Sequence, residues 1–183
     1  MNVDRFLPMA TRKHHYSLFA DYYQFYLQDE LVAGDLGDSW TQEAVDRLLA
    51  LAPGTIGIGT VRNMTVPVDV EIFDTEPDEA LDGWDQVNEC SIDVSSGRLV
   101  IGGCTDYFPD AARIDVVPGV YRVRVFYGKL DSLSEDGLAG EDHYRVVLWP
   151  GSPTAPAVLK RRPSDGGTDD AEGLGEAAKG RHR

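Results

Sequence analysis

Apolar residues recur at every second position through most of this chain, and that periodicity restricts it to a fold built from strands. Val66–Phe73 sets Val66, Val68, Val70 and Ile72 against Pro67, Asp69, Glu71 and Phe73. Thr55–Val61 alternates Ile56 and Ile58 with Gly57 and Gly59. His15–Leu27 reads as one long aromatic strand, with Tyr16, Leu18, Tyr22 and Tyr26 on one face and Phe19, Tyr23, Phe25 and Leu27 on the other. Glu89–Val94 and Arg98–Ile101 flank the turn Ser95-Ser96-Gly97 as a hairpin. Arg113–Val117, Val120–Phe126 and His143–Trp149 complete the set, and Pro118-Gly119 marks a turn between the first two. One segment has helical spacing instead. Ser39 is placed as an N-cap with Gln42 three residues on, Trp40, Ala44, Leu48 and Leu51 share a face, and Pro53-Gly54 is expected to stop the helix. Short strands with a single helix near 40–51 predict an all-β protein, mainly an antiparallel β-sandwich.

The 183 residues suit one domain plus an appendage at roughly 150 residues per domain. From Gly151 the composition turns to Gly, Ala, Pro, Ser and charge without apolar periodicity, so 151–183 is expected to be a disordered tail. A flexible N-terminus over 1–14 and a sandwich domain over 15–150 account for the rest. No run of 18 apolar residues occurs, which argues against a membrane span. The first residues lack the apolar core of a signal peptide, so the expected location is cytoplasmic, with Cys90 and Cys104 reduced.

Charge is the strongest functional signal. The formal net charge is -14. The segment from 151 onward holds six basic and five acidic side chains, so -15 falls on 1–150. Such a chain repels phosphate, and direct nucleic-acid binding is not expected. No basic residue lies between Arg62 and Arg98, where ten acids occur, and a second acidic cluster runs from Asp131 to Asp142. Trp84, between Asp82 and Asp85, is an aromatic in a charged field, the pattern of an interface anchor. The expected partner-binding residues are Asp74, Glu76, Asp78, Glu79, Asp82, Trp84 and Asp85 in the first cluster. Asp131, Glu135 and Asp136 are those of the second. Their partner is a basic protein, because complementary potentials speed association and set register. Solubility alone is the competing account of the same charge.

Other chemistry finds less support. His143 beside Asp142 suggests a general base, but no Gly-framed serine or cysteine nucleophile accompanies it, so no catalytic residue is assigned. Asp74, Glu76, Asp78, Asp82 and Asp85 match five steps of a calcium-loop frame. Glu79 stands where that loop needs glycine, so an acidic surface loop is expected and no metal. Gly54–Gly59 lacks phosphate-loop spacing and is expected to permit close strand packing; no cofactor is implied. Cys90 and Cys104 are expected to be small buried hydrophobes, and the Tyr22–Tyr26 aromatics a packed core strand.

The chain also resembles the competence protein J family, whose known representative inhibits a DNA-entry nuclease. The resembling residues are Tyr22-Tyr23-Gln24-Phe25, Ser39-Trp40-Thr41-Gln42-Glu43-Ala44, Gly54-Thr55-Ile56 leading to Arg62-Asn63, and Pro118-Gly119-Val120-Tyr121, in that order. The resemblance implies a small β-rich acidic protein that binds and silences a nuclease, and it identifies no inhibitory residue. Gly128–Asp142 and the tail depart from the family and allow a different partner. The function expected is therefore an inhibitor or immunity-type protein that blocks a basic nuclease or toxin. The alternative is a small-molecule or carbohydrate-binding sandwich that uses the Tyr/Phe strand.

Overall fold

The computed structural model describes residues 11–163. Two sheets face each other. The larger contains β1 (Arg12–Phe19), β5 (Thr65–Ile72), β10 (His143–Pro150), β9 (Gly119–Gly128), β6 (Gln86–Val94) and β11 (Ala157–Lys160), in that spatial order. The smaller contains β3 (Leu49–Ala52), β4 (Thr55–Gly59), β2 (Gln24–Asp29), β7 (Arg98–Gly103) and β8 (Ala112–Asp115). Pairing is antiparallel throughout except between β10 and β5, which run parallel. The expected β-sandwich is the fold observed.

Alternation decides what each strand buries. In β9, Tyr121, Val123, Val125 and Tyr127 face the smaller sheet and are at most 4% exposed. Their opposite numbers Ile56, Ile58, Phe25, Leu27, Leu99 and Ile101 are fully buried. Each such side chain contributes about 1.5–3 kcal/mol when removed from water, so this seam holds the sheets together. A second apolar cluster lies on the outer face of the larger sheet, where Phe73, Val87, Phe126, Val147 and Trp149 are covered by Leu81 and Trp84.

The long strand expected over His15–Leu27 is two strands in different sheets. A short 3-10 turn at Asp21–Tyr23 separates them, and Tyr22 and Tyr23 take φ of 55° and 58°. Left-handed backbone is costly for an aromatic residue, about 1–2 kcal/mol each, so alternation could not foretell this corner. It points both rings outward, at 71% and 56% exposure, instead of into a core strand.

The helix is shorter than its spacing suggests. α1 spans only Gln42–Asp46, and its N-cap is Thr41, whose Oγ1 accepts from the Ala44 amide at 3.3 Å, not Ser39. Leu48 takes φ of 57° and ends the helix, and Leu49–Ala52 pairs with β4 through the Pro53-Gly54 turn. That dipeptide is thus a hairpin turn, not a helix stop. Gly54 has φ of 63°, and a Cβ there would lie 2.4 Å from the Val32 carbonyl oxygen.

Short stretches of both terminal segments pair with the larger sheet. Arg12–His14, assigned to a flexible N-terminus, already pair with Val70–Ile72. Ala157–Lys160, within the segment read as a disordered tail, pairs with Val87–Glu89. Four residues are too few for a readable alternation, and this strand is held by a sheet edge and by Lys160 Nζ donating to the Leu81 carbonyl at 3.3 Å. The remainder of both assignments, 1–10 and 164–183, lies outside the described residues.

Candidate docking surfaces

The acidic segment after β5 crosses the outer face of the larger sheet as a strap. Beneath it, alternation in β9 and β10 places Arg122, Arg124 and Arg145 on the outward side. Arg145 donates to Glu79 at 2.6 and 2.7 Å and to Glu71 at 2.8 and 3.1 Å. Arg124 donates to Glu76 at 2.8 Å and to Glu89 at 2.7 and 3.0 Å, and Arg122 pairs with the other Glu89 oxygen. The guanidiniums stack as well, Arg145 over Phe126 at 5.1 Å and Arg124 over Trp149 at 4.9 Å. Burial of Glu71 favours its neutral form, but hydrogen bonds from Arg145 and Lys13 outweigh it and hold its pKa down, at about 2.

Two of the strap's carboxylates, Glu76 and Glu79, are thus already paired with the protein's own arginines. Asp85 is likewise engaged, accepting from the Leu130 amide at 2.6 Å. Trp84 is half-buried, 5.2 Å from Phe126 and 5.3 Å from His143 between ring centroids, so it pins the strap to the sheet. Asp74 and Asp82 are exposed and make no ion pair among the described residues; Asp78 is exposed and has a partner within the chain. In the second cluster, Asp131 pairs with Arg162, Asp136 accepts from Ser134 and the Leu138 amide within its own turn, and Glu135 is exposed. The strap and the second cluster meet at the Asp85–Leu130 hydrogen bond.

His143 and Asp142 do not form a dyad. Asp142 is fully buried and turned inward, where it accepts from Arg62 Nε at 2.5 Å and from the Tyr144 hydroxyl at 2.8 Å. His143 Nδ1 sits 3.0 Å from the Glu141 carbonyl oxygen. The calcium frame is also dispersed, with Glu76 on Arg124 and Asp85 on a backbone amide. Among the described residues no three His, Cys, Asp or Glu side chains stand together to hold a metal ion.

The outer face of the smaller sheet is different. Gln24 and Tyr26 of β2 point outward beside Gly57 and Gly59 of β4, and Trp40 lies across them with its indole Nε1 donating to Gln24 Oε1 at 2.9 Å. A Cβ on Gly57 would meet Trp40 and Leu36 at 2.9 Å, so the glycine admits the ring, as close packing of the Gly54–Gly59 stretch required. Tyr22, Tyr23, Trp40, Val45 and Leu48 then wall a groove of about 510 Å³. A second cleft of about 480 Å³ shares Leu48 and is lined by Asp46, Gln86, Arg161 and Arg162. The Tyr/Phe segment is the part of this groove that the sequence offers, as an alternative ligand platform; its other walls come from a loop and a helix end that periodicity does not join to it. The available signal was the run Tyr22-Tyr23 beside a helix carrying Val45.

The cysteines occupy opposite environments. Cys90 is buried in β6 and burial pushes its thiol up to about 12, whereas Cys104 is exposed beyond β7, so only Cys90 is the small buried hydrophobe expected. Partial burial and the nearby carboxylates of Asp21 and Asp106 raise the Cys104 thiol as well. In native protein at pH 8, a thiol reagent such as dithionitrobenzoate should therefore label one cysteine, slower than free cysteine, and label the second only on unfolding. Prompt labelling of two thiols would contradict the burial of Cys90.

The two-sheet arrangement defines the class, a β-sandwich with one parallel strand pair in its larger sheet. Two solved structures share this fold. One is described as ComJ, inhibitor of the DNA degrading activity of NucA, from Bacillus subtilis. It is 16% identical, with a TM-score of 0.59 over 79% of this chain and 99% of its own. The other, described as crocagin biosynthetic gene J, is 19% identical, with a TM-score of 0.53 over 79% of this chain and 100% of its own. No family model and no curated protein sequence matches the chain. Among the described residues no helix is long and apolar enough to cross a membrane.

Proposed function

We propose that this protein is a non-catalytic binding module that docks on a basic partner, a nuclease or a toxin of that kind, and blocks it, acting in the cytoplasm. The carrying observation is the combination of a formal net charge of -14 with an aromatic groove left open among the described residues. The likeness in fold to an inhibitor of a DNA-degrading enzyme supports this reading. A nuclease holds phosphates in a basic groove, and an acidic surface competes for it by the same electrostatics. Exposed ion pairs contribute little each, about 0–1 kcal/mol, so tight blocking also needs aromatic anchors, which exposed tyrosines supply.

The test is affinity chromatography of host extract on immobilised protein at low salt, with a salt gradient and an assay of the eluate for DNA degradation. One basic enzyme eluting in stoichiometric amount is the expected result. Scattered basic proteins released together at low salt, without nuclease activity, would leave the charge as a solubility device. The groove's volume also supports a second reading, an aromatic small-molecule or carbohydrate site. That reading predicts ligand-induced thermal stabilisation insensitive to salt.

A further inference from the structure

We propose that the groove between Tyr22-Tyr23 and Trp40/Val45 is the surface that receives a cationic segment of a protein partner. An apolar side chain of that segment enters between the rings, and Lys or Arg on either side meets Asp21 and Asp46. The assignment rests on the protein-binding reading above and moves its centre away from the strap.

Two observations carry it. First, the groove leaves large apolar surface bare: Tyr22 and Tyr23 are exposed as given above, and Val45 is 47% exposed. Clustered exposure of this kind around a groove marks an interaction site. Second, the acids around it keep their charge free. Asp46 accepts only from the Gln42 side-chain amide at 2.7 Å and Asp21 only from the Tyr22 amide at 3.0 Å, with no ion pair to either among the described residues. Glu76 and Glu79 on the strap, in contrast, are bound to Arg124 and Arg145. At Asp21 and Asp46 a partner's cation therefore has no ion pair to displace among the described residues.

The probe is a capped heptapeptide, Gly-Arg-Arg-Leu-Arg-Arg-Gly, added to the isotopically labelled full chain at low salt and followed by amide NMR. A Gln-for-Arg analogue is the control. Shifts should centre on residues 22–24, 40–48 and 59–60, should weaken steeply with added salt, and should be absent with the analogue. A Tyr22→Asn/Tyr23→Asn variant removes both rings at positions whose left-handed backbone asparagine tolerates, so folding is preserved. Its peptide Kd should rise at least tenfold, whereas Asp74→Asn/Asp82→Asn should leave the Kd within twofold. Shifts centred on 74–85 or on 131–136, an unaltered Kd in the tyrosine variant, or no shifts in the groove at millimolar peptide would each overturn the assignment. The two readings fail separately. Groove binding without inhibition of any nuclease removes only the nuclease, and a nuclease blocked equally by parent and tyrosine variant removes only the groove.

Discussion

Replacing Arg62 with leucine will cost about 3–5 kcal/mol of folding stability, because it strands a carboxylate in the interior. Asp142 has no solvent contact, and its two oxygens are served by Arg62 Nε at 2.5 Å and the Tyr144 hydroxyl at 2.8 Å. Tyr144 in turn accepts from the Val61 amide at 3.0 Å, so the three groups tie the end of β4 to the start of β10. Burial and the neighbouring carboxylate raise the Tyr144 phenol above its ordinary range, so it stays a neutral donor. In Arg62→Leu the Tyr144 bond survives, but the negative charge loses its counter-ion. Urea denaturation of the parent, Arg62→Leu and Arg62→Leu/Asp142→Leu measures this. The double variant should recover about half or more of the loss, since it removes the buried charge with its partner. A single variant within about 1 kcal/mol of the parent would show the pair to be solvated.

The second large effect belongs to Arg145, the cation beneath the strap. Arg145→Gln should cost about 2–3 kcal/mol at pH 7, less than a fully buried pair because Lys13 also reaches Glu71 at 2.9 Å. It should also change the acid limb of the stability profile. Glu71 titrates near 2 in the folded protein, below its ordinary value of 4.5. Its pairing therefore stabilises the fold fully above the ordinary value and is lost as pH falls from about 4.5 to about 2, a contribution on the order of 2 kcal/mol after allowance for screening. Melting temperatures of parent and Arg145→Gln should differ most at neutral pH and converge as pH falls to about 2. A constant difference across that window would mean that Arg145 acts through its stacking on Phe126 and not through its charge.

The elements that sequence reading recovers are those governed by local periodicity. Val66–Ile72, Val120–Phe126 and His143–Trp149 alternate because each has one face in the seam, and the structure places them as paired strands there. Two errors share one cause. Tyr22-Tyr23 and Leu48 adopt left-handed backbone that neither propensity nor pattern anticipates, so one strand became two and a helix became a short helix plus a hairpin. The acidic segment was legible as charge but not as geometry. Glu79 and Arg145 are 66 residues apart and Glu76 and Arg124 are 48 apart, and separations of that size become contacts only through the sheet order. The same holds for the groove, whose apolar walls looked like core in a linear reading.

The candidate chemistry is thus divided between a strap whose Glu76 and Glu79 are paired with arginines on one sheet and an open aromatic groove flanked by acids on the other. The measurement that bears most directly on the function is titration of the purified protein into a DNA-degradation assay of the basic enzyme recovered from its own host. Degradation should fall linearly to zero at one equivalent, and should return as salt rises or when Tyr22→Asn/Tyr23→Asn replaces the parent. Undiminished degradation at tenfold molar excess in low salt would contradict the inhibitor account.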